Sequence, residues 1–278
     1  MRKVVDANFL RHPGLADYLG GHRTNQVVFT DYACMECYKG NAVENIQHSL
    51  DIVSRYPEQI IVLKGTRDVI RLQAERRAIP ADLVDSQQTA EFHDFCRDVR
   101  SALDGDMALR SQLLRLGEMA NAHFDRMRLD APGVAEAIQQ MAQSSSRDQL
   151  TELRKRRTIS KATGDAIVRN ILMLAALLFK AHPDVSKLPG ADTARDTFVF
   201  RFALAAQLLV IRWLTDGGIE HVGVDRLRND VVDVTYVAYA TLFDGILSND
   251  RKLLDIYEEA AFFLQRVFAT NVQDVSAT

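Results

Sequence analysis

Short apolar runs that end on polar residues mark both ends of the chain. Residues 3–5 stop before Asp6, residues 27–29 before Thr30 and Asp31, residues 60–63 before Lys64, and residues 245–247 before Ser248. Helical periodicity follows each run, and that alternation predicts a parallel sheet covered by helices, with its functional edge at the strands' C-terminal ends. From about Arg67 to Asp216 the pattern changes to helix after helix, with apolar residues three and four apart in LRSQLLRLGEMANAHF, VRNILMLAALLF and FRFALAAQLLVIRWL.

Turns or helix ends are expected at Ile79-Pro80, Ala131-Pro132-Gly133, residues 144–146, His182-Pro183 and Gly217-Gly218. No internal repeat is visible. The expected organisation is an α/β core made from residues 1–66 and 220–278, interrupted by an all-helical insertion over residues 67–219 that is itself of ordinary domain size.

A hydrophobic share of 47% with 26% charged residues in 278 positions supplies an ordinary globular core. The formal charge of −3 excludes a generally basic nucleic-acid coat, so a polyanion must meet local clusters of Lys and Arg. Three cysteines are too few for a disulfide framework and fit a reducing, cytoplasmic setting. The N-terminal stretch lacks the apolar core of a signal peptide. The apolar segments at 171–179 and 202–211 are bounded by charges short of a membrane span and read as core helices, with no membrane partner.

The acids at the strand ends change the picture. Asp6 follows the first strand, Glu36 lies about one helical turn into the second helix, Asp233 is expected near a helix start, and Asp250 follows the last strand. Two carboxylates about 4 Å apart repel by roughly 4 kcal/mol at an effective dielectric near 20, so such a cluster takes up protons or divalent cations. Oxygen ligands alone suit Mg²⁺ or Mn²⁺ rather than zinc. Singly, Asp233 also reads as a helix N-cap and Asp250 as a turn residue.

In order and spacing, VVDANFL, FTDYACMECYKG, DVTYVAYA and ILSNDRKL resemble the successive motifs of PIN-domain nucleases. Asp6 and Asn8, Thr30 and Glu36, Asp233, and Ser248 with Asp250 occupy the family's positions. The resemblance covers residues 1–66 and 220–278 and implies a three-layer α/β/α fold with a parallel central sheet. It further implies a ribonuclease in which Mg²⁺ or Mn²⁺, held by Asp6, Glu36, Asp233 and Asp250, activates water against a phosphodiester. Asn8, Thr30 and Ser248 would orient carboxylates or a phosphate from behind, and Arg226, Arg228, Arg251 and Lys252 would contact the RNA strand. The insertion departs from compact family members, where it would shape access or bind a protein inhibitor or other partner. Alternatives are a non-catalytic RNA- or protein-binding module of the same fold and, further off, a phosphotransferase using Asp6 as nucleophile, which usually needs a second acid where this chain has Asn8.

Other residues carry less. Asp31 and Asp230 read as caps or solvated charges and Lys64 as a surface lysine. Cys34 and Cys37 have a redox or half-zinc spacing but no second ligand pair, and read as helix cysteines packed beside Glu36. Arg154-Lys155-Arg156-Arg157 with Lys161 is the densest basic stretch, suited to guiding a nucleic-acid backbone or to a solvated helix face.

Overall fold

The computed structural model describes residues 1–144, 151, 160–215 and 223–275 and is mostly helical around one small parallel sheet. Four short strands, β1 (Arg2–Val5), β2 (Gln26–Phe29), β3 (Ile60–Val62) and β4 (Ile246–Leu247), lie in the order β3-β2-β1-β4, and every pairing is parallel. Their valines and isoleucines are buried, as befits strands covered on both faces. Because all four run the same way, Asp6, Thr30, Leu63 and Ser248 emerge at one edge. The four expected strands are therefore present. β4 enters through an Asp244-Gly245 turn in which Gly245 has φ +132°, a conformation that side chains resist.

The helices are α1 (Pro13–Gly21), α2 (Asp31–Cys37), α3 (Ala42–Leu50), α4 (Thr66–Glu75), α5 (Ser86–Leu103), α6 (Met107–Ser144), α7 (Lys161–Ala181), α8 (Ala191–Ala194), α9 (Phe198–Thr215), α10 (Val224–Ala240) and α11 (Arg251–Val275). Among the described residues, no strand lies between β3 and β4, in keeping with the helical texture of the middle of the chain. That middle packs directly on the α/β core: α5 covers β3, α6 lies on α2 and α3, and one continuous apolar core runs through both parts. At the α3–α6 contact, a Cβ on Gly117 would lie 2.6 Å from that of Ala42, so the absent side chain sets how closely the helices approach.

Two boundaries differ from expectation. α6 runs through Ala131-Pro132-Gly133. An interior proline removes one backbone bond at a cost of about 3 kcal/mol, which the many remaining bonds of a 38-residue helix outweigh. α10 begins at Val224, so Asp233 stands inside the helix rather than at its start. The residues before it, which include Leu227 and Asp230, also find a buried face, and that burial extends the helix toward its N-terminus. Gly217-Gly218 and Arg154–Arg157 lie outside the described residues.

By length and composition α7 and α9 are both apolar enough to cross a membrane. α9 is a core helix, as expected, packed by α7, α10 and α11. α7 is not: it packs chiefly on α9 and leaves Leu172, Met173 and Leu177 exposed.

Candidate functional site

Asp6 is 4% exposed and leaves β1 with both carboxylate oxygens occupied. The backbone N–H of Asn8 donates to one at 3.1 Å and the Ser248 hydroxyl to the other at 2.8 Å. Ser248 also accepts from the Asp250 backbone N–H at 3.0 Å, so one hydroxyl fixes the ends of the neighbouring strands β1 and β4. Asp250 is exposed and caps α11 through the Leu253 N–H at 3.1 Å. Of the expected supporting groups, Ser248 acts through its side chain and Asn8 through its backbone. Thr30 touches no carboxylate; its hydroxyl caps α2 at the Ala33 N–H, 3.1 Å away, and so positions the helix that carries Glu36.

Glu36 accepts a 2.6 Å hydrogen bond from the Tyr236 hydroxyl on α10. Burial raises its carboxyl above the usual range, the Tyr236 bond lowers it, the Asp6 charge raises it, and Lys39 and Arg228 lower it. Asp6 is raised by burial first, lowered by Ser248 and Asn8, and raised again by Asp250. Asp233 is pushed up to about 7, chiefly by burial, with Lys252 opposing and Asp250 and Asp230 adding to the rise. The four acids are thus electrostatic neighbours: Asp6 acts on Glu36, and Asp250 acts on both Asp6 and Asp233. Among the described residues no group of three or more His, Cys, Asp or Glu is arranged to hold a metal ion.

The cations are distributed unevenly. Lys252, expected to meet substrate, instead inserts its ammonium between Asp230 and Asp233, 3.2 Å from the latter. Asp230, neither a cap nor solvated, is 2% exposed and also accepts from Trp213 Nε1 at 3.2 Å. Arg228 pairs with Asp225 at 3.5 Å and lies over the Phe124 ring of α6, with Lys39 over the same ring. Arg226 is exposed, and Arg251 is exposed with its guanidinium 3.7 Å from Asp255.

Sequence reasoning missed Tyr236, Lys39 and the Asp230–Lys252 pair; the run Asp230, Asp233, Tyr236 at three-residue spacing on one helix face was the available signal. Asp31 is also not simply solvated: half-buried, it accepts from the Thr66 N–H at 2.7 Å and hydroxyl at 2.8 Å, at the start of α4, as well as from the Tyr32 N–H of its own helix at 3.0 Å. Lys64 donates to the Asp82 carbonyl. Cys34 and Cys37 are free thiols lining an apolar cavity of about 320 Å³, with burial pushing Cys37 up to about 12.

No protein-family model, curated protein or solved structure matches this chain.

Proposed function

We propose that this protein is a divalent-metal-dependent nuclease acting on RNA. The observation that supports the reading is the electrostatic coupling of Glu36, Asp6, Asp250 and Asp233, with Asp6 and Asp250 following the C-terminal ends of the parallel neighbours β1 and β4. RNA as the substrate, and the three-layer PIN-like arrangement, rest on the resemblance of the motifs. The donor set fits Mg²⁺ or Mn²⁺: every donor is a hard oxygen, and Mg²⁺ keeps several waters and takes only one or two carboxylates from the protein. Asp6 and Asp250 would hold such an ion, since Ser248 fixes both residues. A bound ion of this kind supplies a water of lowered pKa and neutralises charge on the phosphate.

The chain's own groups do the rest. Tyr236 holds the Glu36 carboxylate in place, ready to accept a proton from an attacking water, and Asp233 near neutrality can exchange one. Lys39 and Arg228, on the Glu36 side, are the cations best placed to draw in a phosphate backbone, supported by Phe124 of the helical middle. Arg226 and Arg251 are exposed for strand contact, whereas Lys252 is committed internally.

A second reading, a non-catalytic RNA- or protein-binding module, is favoured by that same lysine: its ammonium already neutralises Asp230 and Asp233. Incubation of the protein with single-stranded and structured RNAs in Mn²⁺, Mg²⁺ or chelator separates the two. Metal-dependent cleavage lost in Asp6→Asn and Asp250→Asn is expected; RNA retained without cleavage by a folded protein would leave the binding module standing.

A further inference from the structure

We propose that this protein self-associates as a two-fold dimer in which α7 packs antiparallel against α7 of a second copy. α7 buries Ile167, Ile171, Ala175 and Phe179 toward α9. Its opposite side carries Asp165, Arg169, Leu172, Met173, Leu177 and Lys180, all exposed, within an arc of about 140° at 100° per residue. Leu172, Met173 and Leu177 are 50%, 57% and 60% exposed, a cluster of large apolar side chains rimmed by charges of the kind that marks an interaction surface.

The charges on this face identify the cover. Asp165 lies seven residues before Leu172, and Lys180 seven residues after Met173. A two-fold axis between Leu172 and Met173 therefore sets Asp165 opposite Lys180 of the second copy, and symmetry makes the pair twice. The same axis sets Arg169, three residues before Leu172, opposite the small Ala176, three residues after Met173, which leaves room for the arginine stem. Among the described residues Asp165, Arg169 and Lys180 make no ion pair within the protomer, so their charges are free for the partner. A parallel pairing would oppose Asp165 to itself. A lipid surface would take the leucines but also Asp165 and Arg169 on the same face, which hydrocarbon disfavours.

The helix has 21 residues and spans about 31 Å. One helix pair buries less than the roughly 800 Å² per partner of standard interfaces, so a dissociation constant on the order of micromolar is expected. Sedimentation velocity of the full chain over a concentration series tests this. Dimer is expected to grow with concentration and to vanish in Met173→Glu. Asp165→Lys and Lys180→Asp should each weaken it about tenfold, by turning two attractive pairs repulsive, and the double variant should restore it. All three substitutions sit at exposed positions, and circular dichroism verifies that each of the four variants keeps the helix content of the parent. A chain monomeric to several hundred micromolar overturns the proposal. So does association indifferent to the charge reversals, association not rescued in the double variant, or co-sedimentation of monomeric protein with phosphatidylcholine vesicles that Met173→Glu abolishes.

Discussion

The Tyr236 hydroxyl donates to Glu36 at 2.6 Å across 200 residues of sequence, tying α10 to α2 at the edge of the sheet. Removing that hydroxyl in Tyr236→Phe leaves a buried carboxylate with one fewer partner. A hydrogen bond to a charged group contributes about 1.5–3 kcal/mol, and its loss also pushes the Glu36 carboxyl further up. Because the bond favours the ionised carboxylate, urea unfolding should show a loss that grows as pH is raised; equal losses at every pH would show that the bond does not serve the carboxylate.

Asp6, Asp31, Glu36 and Asp233 are all raised, first by burial, and Asp233 reaches about 7 from an ordinary 3.8. Between those values the folded protein holds a proton on Asp233 that the unfolded chain has released, so this group's contribution is full below about pH 4 and lost as pH rises through about 7. Denaturant midpoints should therefore decline from pH 5 to pH 8. Asp233→Asn should flatten the decline, and an unchanged slope in that variant would remove Asp233 as its source.

Lys252, its side chain 30% exposed, is a counter-charge shared by the buried Asp230 and by Asp233. Lys252→Met strands Asp230 at 2% exposure and should cost about 3–5 kcal/mol, the range for breaking one side of a buried pair. Asp230→Asn combined with Lys252→Met should recover a large part of that loss. A double-mutant cycle by denaturant unfolding measures the coupling, and additive losses would contradict it.

The strands were legible because each carries a short, buried apolar stretch soon followed by a polar residue, and a stretch covered on both faces needs no other signal. Of the candidate acids, Asp6 and Asp250 were legible as carboxylates that follow strands, since they stand out against the apolar stretches before them. The start of α10 was not: Asp230 in the sequence looks like a solvent residue, and only Lys252 and Trp213, 22 and 17 residues away in the chain, make its burial tolerable. Likewise Pro132 marked a break by local preference, which the rest of a long helix overrode.

By itself, the sequence determined which segments become strands, which become helices, and which acids those segments carry to the strand ends, because all three follow from local periodicity and residue type. The tertiary structure alone decided the order β3-β2-β1-β4, the electrostatic coupling of the four acids, the capture of Lys252 by Asp230 and Asp233, and the uncovered side of α7. Each of these depends on which distant surfaces meet, and the free energy of burial that selects among such meetings belongs to pairs of segments rather than to either one.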